Sequence, residues 1–347
     1  GLVMEQLFQD RLPEFYETLA FHFNRGESNN KAVYYLTKAG DKSLGRYSVD
    51  ESHKYFKDAF DILSVKPQKT KDEEKRIIDI LLKWAYVFNH RGDFLGMADL
   101  FRAHEDTAQS LDDKECFGMF YAWLGWALNG REELKGAHKY LSKALKIGVE
   151  AENNKVISYA CAWLTWNCAA LGLLDDAIVY AKRAQEILRS SKSDRELFRF
   201  SIVGMGMAHW FRGEGAKAIE AGKMLLEYGQ RESDLRCMSM GHWTVGLGHY
   251  TAGNFSAAIE CHKRAIQVAP DPLFASSAKL LLGMTYIADG QLEESENMFG
   301  EVMQYSEDFG ADIVGSAGRF FHGIIMIIKG NLHQGVKIVE DLIRLWH

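Results

Sequence analysis

The sequence predicts an all-α protein, a right-handed α-solenoid of helix pairs repeating about every 40 residues. Three observations lead there. Helix-forming residues dominate, with only 4 prolines among 347 residues. No segment alternates apolar and polar residues for long enough to make a strand. A small residue recurs inside helical patterns at Ala85, Gly125, Thr165, Gly206, Gly246, Gly283 and Gly323, at spacings of 40, 40, 41, 40, 37 and 40.

From the N-terminus, Leu12 to Gly26, Asn29 to Arg46 and Val49 to Leu63 have the periodicity of three helices. The polar stretch Ser64 to Lys75, which contains proline and a dense run of charge, follows as the strongest break. The expected organisation is therefore N-terminal helices over 1–64, a charged linker over 65–75 and seven helix pairs over 76–347. Within each pair the small site needs a packing reason, because glycine costs about 1 kcal/mol against alanine inside a helix. Close approach of a neighbouring helix supplies one. Seven residues after the small site stand Gly92, Glu132, Gly172, Gly213, Gly253, Gly290 and Gly330, so six of seven first helices end in glycine. Twelve residues after it, Met97, Ala137, Ala177, Ala218, Ala258, Ser295 and Gly335 are mostly small again. Ser193 to Glu196 has the spacing of a capping box, and Asp271-Pro272 places a cap and a first-turn proline at the next helix start.

This helix, glycine turn, helix layout resembles the tetratricopeptide repeat, with Val245-Gly246, Phe255, Ala258, Ala265 and Pro270 in the best register. Tyr16, Leu19, Ala20, Phe23, Ala32, Leu36 and Ala39 fit one such unit, and Ser52, Phe56 and Ala59 the second half of another. The N-terminal run Leu19-Ala20-Phe21-His22-Phe23, with Lys31-Ala32, Tyr35-Leu36 and Lys38-Ala39-Gly40, is similar to the start of the repeat region in large bacterial signalling proteins. In those, an ATPase module of the signal-transduction type, often behind a class III adenylate/guanylate cyclase domain, precedes tetratricopeptide repeats. The resemblance implies an interaction or sensory role, with any catalysis in parts of the parent absent from this chain. Gly1 in place of an initiator methionine fits an excised piece.

Net charge of −6 offers no basic face for nucleic acid. No apolar run reaches the ~20 residues that span a bilayer, and no export signal opens the chain, so a cytoplasmic protein without a membrane partner is expected. Five cysteines, Cys116, Cys161, Cys168, Cys237 and Cys261, form no C-x-x-C pair and read as small buried hydrophobes in a reducing compartment.

No residue set points to catalysis, a cofactor or a metal. Gly204-Met-Gly206 and Gly246-Leu-Gly248 lack the strand and third glycine of a nucleotide loop and read as helix crossings. His209, His242 and His249 fall on equivalent or neighbouring helical faces, without a cysteine or carboxylate at ligand spacing, and read as packed polar aromatics. Asp112-Asp113, Asp175-Asp176 and Glu293-Glu294 sit at helix starts and complement the helix dipole.

The candidate site is an aromatic stripe. In tetratricopeptide arrays the first helices line the concave surface, with exposed positions six and three before the small site and one and four after it. Those offsets select Tyr159, Ala162, Trp166 and Ala169; Phe200, Val203, Met207 and Trp210; Met240, Trp243, Leu247 and Tyr250; and Ser277, Leu280, Met284 and Ile287, with Trp126 and Trp163 beside them. The expected binding residues are Trp126, Tyr159, Trp163, Trp166, Phe200, Met207, Trp210, Met240, Trp243, Tyr250 and Met284. Two readings stay open: a groove for an apolar or amphipathic protein or peptide segment, from a partner or from another domain of the same parent, or ordinary buried core. A small molecule or short signalling peptide enclosed by the superhelix is the alternative ligand. The last helix is apolar on several sides, through Val336, Ile338, Val339, Leu342, Ile343, Leu345 and Trp346, so either more chain follows or this end self-associates.

Overall fold

A computed structural model describes residues 1–190, 195–309 and 312–346. The described residues form nineteen α-helices and one 3-10 helix. The chain divides into two compact units, Gly1–Leu124 and Gly125–His347.

The first unit contains α1 (Leu2–Leu7), the 3-10 helix Gln9–Glu14, α2 (Tyr16–Arg25), α3 (Asn29–Gly45), α4 (Val49–Ser64), α5 (Lys71–Arg91), α6 (Phe94–Ala103), α7 (Glu105–Gln109) and most of α8 (Lys114–Gly130). The three expected N-terminal helices are α2, α3 and α4. Non-helical backbone at Arg11, beside Pro13, delays the start of α2 to Tyr16.

The charged stretch 65–75 is not a linker throughout. Only 65–70 connects helices, and α5 begins at Lys71. Thr70 Oγ1 accepts from the Glu73 N–H at 3.3 Å, and Glu73 accepts from the Thr70 N–H at 3.0 Å. This reciprocal cap, with Asp72, Glu73 and Glu74 at the positive end of the helix, explains why so polar a segment is helical.

The second unit takes the end of α8, then α9 (Leu134–Glu150), α10 (Asn154–Ala170), α11 (Leu174–Ser190), α12 (Arg195–Phe211), α13 (Gly215–Glu232), α14 (Leu235–Thr251), α15 (Phe255–Gln267), α16 (Pro272–Ala288), α17 (Leu292–Phe309), α18 (Asp312–Ile328) and α19 (Leu332–Trp346). The seven expected pairs are therefore α5/α6 and then α8/α9 through α18/α19. The capping box expected at Ser193 to Glu196 lies outside the described residues. Asp271 caps α16 as expected, accepting from the Phe274 N–H at 3.1 Å.

The small sites are where paired helices cross. A Cβ on Gly125 would lie 2.6 Å from Leu141 Cγ, one on Gly283 2.8 Å from the Phe299 ring, and one on Gly323 3.1 Å from Val339. In each case the facing side chain comes sixteen residues later, from the second helix of the same pair. Where the first helix carries the larger Thr165, position sixteen on is Ala181, and both are fully buried. At that pair a larger residue on the first helix goes with a smaller one on the second, as a close-packed core tolerates. Twelve residues on, Ser295 donates to the Gly283 carbonyl at 2.7 Å. The same register occurs in α3/α4, where Gly40 faces the Phe56 ring and Ser52 donates to the Gly40 carbonyl at 2.9 Å.

Each turn after a first helix has left-handed backbone. The six glycines do so with φ from 70° to 91°, and Glu132 does so at 63°. The turn geometry therefore persists where its glycine is missing, at the cost that a side chain meets in that region.

One crossing carries a polar ring. His262 is fully buried sixteen residues after Gly246, and neither ring nitrogen has a hydrogen-bond partner. Burial pushes its pKa down from 6.5 to about 3. The unfolded chain therefore binds a proton near pH 6.5 that the folded chain refuses until about pH 3. Stability through this residue is full above pH 6.5 and falls as pH drops through that window, by up to about 1.4 kcal/mol per pH unit. His262→Phe, which copies the Gly283–Phe299 crossing, is expected to raise stability by about 1 kcal/mol at neutral pH and to flatten this acid slope. Urea unfolding between about pH 4 and 8 checks it, and an unchanged slope in the variant would refute the assignment.

Candidate ligand groove on the first helices

All eleven stripe residues lie in the second unit, on α8, α10, α12, α14 and α16. Close approach of the first helices begins with another small residue. A Cβ on Gly204 of α12 would lie 2.5 Å from Thr165 Cγ2 of α10, and one on Gly206 would lie 2.5 Å from Thr244 Cγ2 of α14. Gly248 likewise faces the Gly215 carbonyl and Ile219 of α13. The paired glycines are helix crossings, as expected.

With the helices this close, the aromatic rings interlock. Trp126 stacks on Trp163 at 5.5 Å between centroids, and Phe200 meets Trp126 edge-on at 5.2 Å. Trp126 and Phe200 sit on first helices two apart, so their rings meet across α10. Trp166 closes the cluster, edge-on to Phe200 at 5.8 Å, with its indole N–H donating to the Phe200 carbonyl at 2.8 Å. Tyr159 packs edge-on against Trp163 at 5.1 Å. Such pairs contribute about 0.5–1.5 kcal/mol each beyond area burial.

The eleven residues consequently divide. Tyr159, Trp163 and Met240 are 2% exposed and form a floor, and Trp126, Phe200, Trp243 and Met284 are buried at its edge. Trp166, Met207, Trp210 and Tyr250 keep partly exposed faces on α10, α12 and α14. Trp243 stacks against Phe274 of α16 at 6.2 Å, and the Arg236 guanidinium lies over Phe274 at 5.5 Å.

Sequence reasoning missed the polar groups that set the spacing of these helices. Arg199 of α12 donates to Asp234 at 2.7 Å, and Asp234 also caps α14 by accepting from the Cys237 N–H at 3.1 Å. Arg236 of α14 reaches Asp271, the cap of α16, at 3.2 Å. Each N-cap aspartate thus ties its helix to the preceding first helix, and a basic residue 35 positions earlier in the sequence is the signal for it. A buried amide network does the same further back. Asn167 donates to Asn129 Oδ1 at 3.2 Å and to the Leu134 carbonyl at 2.9 Å, and its own carbonyl oxygen takes the Nδ1–H of His138 at 3.0 Å.

His209 is taken up by Glu214 at 2.6 Å in its own turn. Among the described residues no three His, Cys, Asp or Glu side chains come together as a metal-binding group, and no helix is long and apolar enough to cross a membrane.

The sequence matches no protein-family model and no curated protein. Solved structures do match. A Rap protein complexed with competence and sporulation factor aligns with 90% of this chain and 85% of its own, with a TM-score of 0.68 at 13% identity. The Rap conjugation gene regulator of plasmid pLS20, in complex with a Phr peptide, aligns with 83% of this chain and 78% of its own, with a TM-score of 0.64 at 16% identity. A signal-transduction ATPase with a tetratricopeptide-repeat sensor from Pyrococcus horikoshii covers 96% of this chain at 17% identity and a TM-score of 0.50; this chain spans 55% of that protein. The fold is a tetratricopeptide-like helical-repeat array. At these identities the likeness speaks for the fold alone.

Burial alone would raise the Asp234 carboxyl, but Arg199 and the Cys237 N–H outweigh it and hold the group below the ordinary aspartate value. Its stabilising share is present above the unfolded pKa of 3.8 and lost as pH falls through the lower folded value. Asp234→Ala is expected to cost about 3 kcal/mol, since it removes the buried Arg199–Asp234 ion pair and the cap of α14. Asp234→Asn should recover only the capping share. Chemical denaturation of the two variants at neutral pH measures this, and a loss under about 1 kcal/mol for Asp234→Ala would contradict it.

Proposed function

We propose that this chain is the non-catalytic, cytoplasmic interaction region of a larger bacterial signalling protein, and that it binds a short apolar or amphipathic peptide segment along its first helices. The observation that carries the reading is the row of partly exposed Trp166, Met207, Trp210 and Tyr250 above a buried aromatic floor. Aromatic and methionine side chains offer large contact area and tolerate varied sequence, and a rigid floor lowers the ordering cost of binding. The occupant is a segment of a partner or of the parent polypeptide. A short signalling peptide is the second reading, favoured by the Phr peptide held in a solved structure of the same fold. Similarity to a repeat sensor attached to an ATPase supports the signalling context.

The C-terminal helix supplies a separate self-association surface. Leu332, Val336 and Ile343 are exposed along one stripe of α19. In the preceding pair the corresponding helix, α17, is covered by α18, where Gly318 packs against Val302 and Met303. A second copy of α19 would cover this stripe in the same way. Light scattering at high concentration should give twice the chain mass and return to one chain mass with Val336→Glu, whereas one chain mass throughout would refute the pairing.

The groove is tested with a displayed library of short random peptides, followed by fluorescence anisotropy of the selected sequences. Trp210→Ala and Trp166→Ala are each expected to weaken binding about tenfold or more while the circular dichroism of the array is retained. Val179→Ala, on the exposed side of α11, should leave affinity unchanged. Selected peptides that bind all three variants equally would overturn the groove assignment, and so would loss of helical signal in the tryptophan variants.

A further inference from the structure

The first unit contains a cleft of about 520 Å³ between α1, α3 and α5 that the groove does not use. Two contacts across it fix how α3 and α5 lie. Asn30, near the start of α3, accepts from Arg76 of α5 at 3.2 Å, and Asp41, further along α3, is ion-paired with Lys83, further along α5. The two helices therefore run in the same direction. Lys38 of α3 and Asp79 of α5 stand between these two contacts, and both line the cleft.

Every other charge in the lining has its own opposite charge. Lys31 is ion-paired with Glu5, whose other oxygen accepts from the Tyr35 hydroxyl at 2.5 Å. Arg76 is paired with Asp72 at 2.9 Å, and Lys83 with Asp41. Lys75, one turn before Asp79, is held by Asp113 at 3.1 Å. Lys38 lies over the ring of Tyr34 at 5.7 Å and has no carboxylate partner among the described residues. Asp79 takes part in no hydrogen bond or ion pair among them, so Lys38 and Asp79 do not meet each other. Burial pushes the Asp79 carboxyl above its ordinary value, and the pull of Lys75 and Lys83 in the other direction falls short. The cleft with its ion-pair partners is neutral, and it leaves open one cation and one anion on adjacent helices.

We propose that this cleft binds a small zwitterion, a free α-amino acid or a dipeptide with uncharged side chains, its carboxylate on Lys38 and its ammonium on Asp79. An anion alone would sit against Asp79 and a cation alone against Lys38, whereas a molecule with both charges satisfies the two helices at once. The remaining ion pairs offer no counter-charge to a charged side chain, which would lose its water without gaining a partner. Size points the same way, because 520 Å³ lies in the range of small-ligand pockets. Thr37 Oγ1 donates to the Val33 carbonyl at 2.8 Å, so toward a ligand it acts as an acceptor, which suits an ammonium. Tyr34 presents an exposed ring at the rim, against which an aromatic or aliphatic side chain packs.

Isothermal titration of the full chain with phenylalanine, phenylalanine amide, N-acetylphenylalanine and alanyl-phenylalanine tests both contacts. Saturable binding of a zwitterion, with the two analogues that lack one charge about tenfold weaker or more, is the expected result. Lys38→Gln and Asp79→Asn should each weaken the zwitterion to a similar degree with circular dichroism unchanged, and Lys146→Gln on α9 should leave it as it was. In Lys38→Gln the amide should bind as well as phenylalanine, since the carboxylate it lacks has lost its partner, and Asp79→Asn should do the same for the acetylated analogue. Tighter binding of the dipeptide identifies a peptide ligand, and otherwise the ligand is the free amino acid; either supports the site. The proposal is overturned if neither zwitterion binds at millimolar concentration, if the one-charge analogues bind the unaltered chain as well as phenylalanine does, or if the two cleft variants bind as well as the parent chain.

Discussion

Most of the helix pairs depend on one crossing: a small residue in the first helix sits directly under the side chain sixteen positions later in the second, as at Gly40, Gly125, Gly246, Gly283 and Gly323, while Gly206 instead admits Thr244 of the next first helix. The distances leave no room for a Cβ at Gly125, Gly246 or Gly283. The cost of glycine in a helix, about 1 kcal/mol, is offset by burial of a Leu, Phe or Val against the bare backbone, which contributes about 1.5–3 kcal/mol. Repeated within each unit, the crossing packs helices that would be marginal alone in water against their neighbours.

The groove inherits its character from the same close approach. Because Gly204 and Gly206 let α10, α12 and α14 come together, aromatic side chains on their inner faces must pack on one another. Trp126 and Phe200 meet across α10 and close that stretch, and the accessible face begins beyond them at Trp166 and continues over Met207, Trp210 and Tyr250. The N-cap aspartates Asp234 and Asp271 hold the helices at this spacing through Arg199 and Arg236. One side chain thereby ends the run of orphan amides at a helix start and fixes that helix to its neighbour.

Periodicity makes the fold legible in the sequence, since small residues at a constant interval report a crossing whichever residues surround them. The turn after α8 was the irregular point, and Glu132 shows why: backbone geometry there is set by the pair, so a non-glycine residue adopts it too. The segment 65–75 misled because polarity resembles a linker when the Thr70–Glu73 cap is overlooked. Which stripe residues are floor and which are surface was not readable. Fixed offsets place them all on one face, but burial depends on neighbouring repeats, as where Trp126 of α8 stacks on Trp163 of α10, and no single repeat encodes that approach. The Arg199–Asp234 and Arg236–Asp271 pairs are visible as a 35-residue spacing only once N-caps are assigned.

The central claim is that the face of α10, α12 and α14 carries the ligand. Amide hydrogen exchange with and without a library-selected peptide tests it most directly, because it reads every helix at once. Slowed exchange concentrated in α10, α12 and α14, with α11 and α13 unchanged, is the result the account predicts. Protection confined to the second helices or to the first unit would contradict it.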